Sequence, residues 1–89
     1  MRVAIKSTQF KRDVKRVLKR GYNPEKLIQV IDWLMADAAL PARCRPHKLS
    51  GNYADLWECH IAPDWLLIYD FDDTYLRLYR TGTHSDLFD

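Results

Sequence analysis

Residues 55–81 read DLWECHIAPDWLLIYDFDDTYLRLYRT, and this stretch decides the fold. Residues 55–61 alternate, with Trp57, Cys59 and Ile61 opposite Leu56, Glu58 and His60, which is the period of a strand half-covered by a core. Residues 65–71 are almost wholly apolar, as a central strand covered on both faces must be. Residues 75–81 alternate again, Leu76 and Leu78 against Tyr75, Arg77 and Tyr79. Ala62-Pro63-Asp64 and Asp72-Asp73-Thr74 separate the three runs and are good turn sequences. The stretch therefore predicts a three-stranded antiparallel meander.

Upstream, residues 2–7 alternate loosely and predict a short strand. Ser7 or Thr8 can cap a helix that runs to about Arg20 and stops at Gly21, with Phe10, Val14, Val17 and Leu18 as its apolar stripe. Asn23-Pro24-Glu25 is a strong helix start: a capping side chain, a proline where no N–H is missed, and an acid near the positive helix end. The second helix then presents Leu27, Val30, Ile31, Leu34, Met35 and Ala38 on one face, suited to packing on a sheet. Gly21-Tyr22 is short enough to make the pair an antiparallel hairpin. Residues 39–53, with two prolines and Ser50-Gly51-Asn52, are expected to be loop. The order is β-α-α-β-β-β, an α+β fold with a two-helix hairpin on a small, mostly antiparallel sheet. Nothing long enough to be a linker divides residues 1–89, so one domain is expected.

The net charge of +2 hides a polarity. Residues 1–48 hold twelve Lys and Arg against four acids, whereas residues 49–89 hold two arginines against eight acids. The first helix is basic around most of its surface: Lys11, Arg12, Lys15, Arg16, Lys19 and Arg20. Like charges four apart weaken a helix by a few tenths of a kcal/mol per pair, so the cluster suits a polyanionic partner; a solvated face is the plain alternative. No apolar run approaches the roughly 20 residues needed to cross a bilayer, and Met1-Arg2-Val3 leads straight into a strand. No membrane partner and no signal peptide are expected, and the chain is expected to be cytoplasmic, with Cys44 and Cys59 as reduced, inert thiols.

The groups able to do acid–base chemistry fall in the second half. His47 lies in the expected loop, His60 at the end of a strand, Asp64 in the turn after it and His84 beyond the last strand. A meander brings His60 and Asp64 together, and residues 81–89 can fold back over the same surface. Metal-free RNA cleavage needs a base for the ribose 2′-hydroxyl, an acid for the departing 5′-oxygen and a cation for the phosphorane. Histidine suits the first two and arginine, here Arg80, the third. Trp65 and Phe88 could stack a splayed base. Each also has an ordinary structural reading: turn aspartate, core aromatic, surface histidine, ion-paired arginine. Zinc held by His47, His60, Asp64 and His84 fits no ligand spacing, so no metal or cofactor is expected. The chain also lacks a phosphate-binding glycine loop, a CxxC pair and a nucleophile elbow.

The runs His47-Lys48-Leu49-Ser50-Gly51, His60-Ile61-Ala62-Pro63-Asp64-Trp65-Leu66-Leu67-Ile68-Tyr69 and Arg80-Thr81-Gly82-Thr83-His84-Ser85-Asp86-Leu87-Phe88 together resemble the YafQ-like branch of the RelE/ParE toxin superfamily. The element order resembles that RelE-like fold as well. The resemblance implies a toxin of a type II toxin–antitoxin system that cuts mRNA in the ribosomal A site, leaving a 2′,3′-cyclic phosphate and a 5′-hydroxyl. It implies His47, His60, Asp64 and His84 as catalytic residues, and Trp65 and Phe88 as substrate-binding ones. Arg80 is expected to clamp phosphate. The implied partners are a cognate antitoxin protein, mRNA and the ribosome, whose RNA the basic helix could contact. Lys48 stands where the family pattern has proline. The rival expectations are a ParE-like gyrase inhibitor, which needs no histidine cluster, and an inactive antitoxin-binding module.

Overall fold

The computed structural model describes residues 1–88; Asp89, the last residue of the expected C-terminal tail, lies outside them. Strand β1 (Val3–Lys6) leads into helices α1 (Thr8–Lys19) and α2 (Pro24–Met35). Strands β2 (His47–Lys48), β3 (Trp57–Ala62), β4 (Trp65–Phe71) and β5 (Tyr75–Gly82) follow, and a five-residue helix α3 (His84–Phe88) closes the described chain. The sheet order is β1-β5-β4-β3-β2, parallel between β1 and β5 and antiparallel elsewhere. The α+β class and the helical hairpin are thus as the sequence predicts.

Local chemistry explains the element ends. The Ser7 hydroxyl accepts from Phe10 N at 2.9 Å and caps α1. At the other end Gly21 takes φ 86°, and the N–H groups of Gly21 and Tyr22 reach back to the Leu18 and Val17 carbonyls. Asn23 caps α2 through Glu25 N at 3.0 Å, with Pro24 in the first helical turn. Leu18 is the exception to the expected stripe, being exposed, and Ala38 lies beyond the end of α2.

One expectation fails in the connection 39–53. His47 and Lys48 are not in a loop but form an edge strand opposite Glu58 and Trp57, flanked by 3₁₀ turns at Ala42–Cys44 and Gly51–Tyr53. Two residues are too few for any periodicity to show, and only the partner strand defines them.

β4 lies at the centre and buries both faces. Phe10, Val17, Leu27, Val30 and Leu34 of the helices cover Cys59, Ile61, Trp65, Leu67, Tyr69, Leu76 and Leu78. On the other face Leu66, Ile68 and Leu87 form a smaller cluster edged by Leu49, Tyr53, Leu56 and Tyr79. α3 is therefore the predicted tail folded back over the sheet.

Candidate active site

Directly paired residues in a sheet share a face. The register His47–Glu58–Ile68–Arg80 runs across four strands, and His60–Leu66–Gly82 forms the next row on the same side. Two of the histidines and the arginine thus lie on the face away from the helical hairpin. α3 adds His84 and Phe88 beside them.

The Arg-Thr-Gly-Thr-His run that ends the sheet has a job at every position. β1 stops at Lys6, opposite Leu78, so the edge of β5 beyond it lacks a strand partner. Asp13 of α1 fills the gap, accepting Thr81 N at 3.1 Å and the Arg80 Nε at 2.7 Å. Arg16 at 2.7 Å and Gln9 at 3.0 Å complete the ring around this fully buried carboxylate. A buried charge is tolerated only when partnered in this way. The Thr81 hydroxyl accepts from Trp65 Nε1 at 2.9 Å and donates to the Leu66 carbonyl at 2.7 Å. At Gly82 a Cβ would lie 2.8 Å from an Asp86 oxygen, so no larger residue fits without a shift. Thr83 and Asp86 then cap α3 reciprocally, Thr83 N to Asp86 at 3.0 Å and Asp86 N to the Thr83 hydroxyl at 3.1 Å.

This capped helix starts at His84, whose ring Nδ1 and backbone N lie 2.8 and 3.1 Å from one oxygen of Asp64. Both side chains are more than half exposed, open to a substrate. Hydrogen bonds from the His84 ring and then its backbone hold the Asp64 carboxyl below its ordinary range. Asp64 is therefore a weak base and a good orienting partner. With Nδ1 donating to it, Nε2 of His84 is the atom free to move a proton. The His60 ring centres 6.2 Å from that of His84, and Phe88, 45 % exposed, 6.1 Å from it. His47 has partners of its own: Nδ1 donates to the Arg45 carbonyl at 2.8 Å, and Nε2 faces Glu58 at 3.3 Å.

Two of the expected site residues are tightly held. Trp65 is 3 % exposed, packs edge-on against Tyr22 and spends its N–H on Thr81, so little of its ring is open to a base. It fixes the strand that follows Asp64. Arg80 is less free than a simple phosphate clamp, since its Nε donates to Asp13 at 2.7 Å and its Nη1 to the Tyr53 hydroxyl at 3.4 Å. Within the basic helix, Lys11, Arg12, Lys15 and Lys19 are exposed, whereas Arg16 is tied to Asp13 and Arg20 to Asp86 at 2.6 Å. Five of the six residues line a groove of about 490 Å³: Arg12, Lys15, Arg16, Lys19 and Arg20.

Sequence reasoning missed three residues. Glu58 is 4 % exposed yet faces His47; its signal was an acid on the same strand face as His60. Tyr53 donates to the Leu87 carbonyl at 3.0 Å, receives Arg80 at 3.4 Å and meets Phe88 edge-on at 5.5 Å. Neither it nor Asp13 carried any local signal. Among the described residues, no three His, Cys, Asp or Glu side chains gather closely enough to hold a metal ion. Nor is any described helix long and apolar enough to cross a membrane.

The family model described as "Bacterial toxin of type II toxin-antitoxin system, YafQ" matches residues 2–89, and the chain belongs to that family. It is 40% identical over 83 residues to "mRNA interferase toxin YafQ" of Escherichia coli strain K12, covering 92% of this chain and 90% of that one. The crystal structure of YafQ from E. coli BL21(DE3) superposes over 100% of both chains with a TM-score of 0.93 and 37% identity. YafQ in the E. coli DinJ–YafQ toxin–antitoxin complex superposes with a TM-score of 0.90 and 38% identity, over 99% of this chain and 98% of that one.

Proposed function

We propose that this YafQ-family toxin is a metal-independent endoribonuclease that enters the ribosomal A site and cuts the mRNA there, stopping translation. The observation that carries the proposal is the pairing of His84 with Asp64 opposite His60, beneath an exposed aromatic ring. His60 takes the proton from the ribose 2′-hydroxyl as its oxygen attacks phosphorus. The bond from phosphorus to the 5′-oxygen breaks, and His84 gives its proton to that oxygen. The products are a 2′,3′-cyclic phosphate and a 5′-hydroxyl end. Asp64 orients His84, and Arg80 stabilises the charge on the phosphorane from its seat on Asp13. Phe88 stacks a base of the codon, while His47, braced by Glu58, is an accessory proton-transfer group.

The exposed part of the basic α1 is assigned to ribosomal RNA. A cognate antitoxin protein, as DinJ is for the E. coli relative, neutralises the toxin in the cytoplasm. His84→Ala is expected to lower cleavage on programmed ribosomes by about 10²–10⁴-fold while leaving the thermal midpoint nearly unchanged. Unimpaired cleavage by that variant would remove His84 from the mechanism. A need for added zinc or another transition metal to restore chelator-treated toxin on Mg²⁺-containing ribosomes would replace the metal-free scheme, and a DNA-damage response instead of translational arrest would favour gyrase inhibition.

A further inference from the structure

The arginines of this chain fall into two groups. Arg2, Arg16, Arg20, Arg77 and Arg80 each sit on a carboxylate, at 2.6–3.2 Å. Arg12, Arg43 and Arg45 have no carboxylate partner among the described residues. Arg12 belongs to the basic helix, but Arg43 and Arg45 do not. Together with His60, Ile61, Ala62 and Pro63 they border a cavity of about 310 Å³.

The segment carrying them is held in place. The Arg43 guanidinium stands 5.8 Å from the Trp33 ring centre, a contact that orients it without cancelling its charge. Arg45 ends the 3₁₀ turn with φ 47°, a left-handed conformation uncommon for a residue with a side chain. Its carbonyl accepts from Nδ1 of His47. The backbone that aims Arg45 at the His60 cavity is thus the one that fixes a second histidine of the site.

Charge balance makes this placement informative. Arg80 and Arg16 share the single carboxylate of Asp13, and Asp86 neutralises Arg20. An RNA strand brings a phosphate on each side of the one being cleaved, and the arginines beside His60 with no carboxylate partner among the described residues are Arg43 and Arg45. Their planar donor forks match phosphate oxygens.

We propose that Arg43 and Arg45 form a phosphate subsite that holds the RNA backbone next to the cleaved phosphodiester. The subsite rests on the ribonuclease function proposed above. The test measures single-turnover mRNA cleavage on programmed ribosomes by the wild-type chain and by Arg43→Gln/Arg45→Gln. The variant should be slower by roughly tenfold for each charged hydrogen bond lost. Arg43→Lys/Arg45→Lys, which keeps the charge but not the fork, should recover part of the rate.

A neutral methylphosphonate, on a 2′-deoxy sugar for stability, then replaces each flanking phosphate in turn. At one of the two positions it should slow the wild type by a similar factor and leave the glutamine variant unchanged, because the contact is already absent. Undiminished cleavage by the variant would overturn the subsite. So would losses that multiply at both positions, which would place the two arginines on ribosomal RNA. Absence of cleavage by the wild type on unmodified message would instead overturn the ribonuclease function, so the two failures are distinct.

Discussion

The two faces of the central strands are built to different rules. Toward the helical hairpin, Cys59, Leu67, Tyr69, Leu76 and Leu78 are buried against Phe10, Val17, Leu27, Val30 and Leu34. Burial there pushes the Cys59 thiol up to about 12 and holds the Tyr69 hydroxyl above its ordinary range. Toward α3, only Leu66, Ile68 and Leu87 form the buried cluster, and the same face carries His47, Glu58, His60 and Arg80. Apolar burial, at about 25 cal/mol per Å², therefore stabilises mainly through the hairpin side. The other side leaves His84 and Asp64 more than half exposed. The two faces meet at the edge of β5, where Asp13 reaches from α1 to Arg80.

Asp13→Ala should have the largest effect on stability, because it removes a carboxylate shared by Arg16, Arg80 and Thr81 N. Loss of one partner of a buried pair costs about 3–5 kcal/mol, read in denaturant titration, and the folded fraction should also cleave more slowly as Arg80 loses its seat. Leu67→Ala separates the faces: a loss of about 2–5 kcal/mol on the hairpin side, with the cleavage rate per folded molecule unchanged. A fall in that rate would show that packing on the far face tunes the site.

Gly82→Ala acts on the α3 side, where the added methyl meets Asp86. It should destabilise by about 1–3 kcal/mol and slow cleavage by displacing His84 from Asp64, with Thr83–Phe88 amide shifts as the structural readout. The smallest effect is the acid limb of stability. The Arg20 hydrogen bond holds the Asp86 carboxyl well below the carboxylate range. The N–H groups of Tyr75 and Thr74, with Arg77, hold Asp72 at about 2. Both contributions are complete above the unfolded-state value of about 4 and disappear as pH falls through the folded values. The thermal midpoint should drop as pH falls from about 4 toward 2, and less steeply in Asp86→Asn.

Much of this was legible because the signals were local. Turn residues at Ala62-Pro63-Asp64 and Asp72-Asp73-Thr74 cut the chain into strands of the right length, and Asn23-Pro24 fixed a helix start to the residue. The turn between β3 and β4 put Asp64 four residues after His60, but only α3 supplies His84, the residue Asp64 bonds. The two-residue β2 was not legible, since its pairing with Glu58 and Trp57 exists only once β3 is in place. The burial of Trp65 has no local signal, because an aromatic after a turn reads the same whether it faces solvent or core. Asp13, in a helix full of lysine and arginine, looked like one more surface charge.

The amino-acid sequence by itself determined β1, the helical hairpin and the three-stranded meander, and their order. These depend on periodicity, caps and turns that act within a few residues. Tertiary structure alone decided which side chains share the site. Asp13 with Arg80, Tyr53 with Leu87 and Arg43 with His60 are separated by 67, 34 and 17 positions, and only packing and sheet register bring them together. Charge pairing within the fold also decided which cations remain free for a phosphate, because a carboxylate can neutralise an arginine only after the chain has placed them side by side.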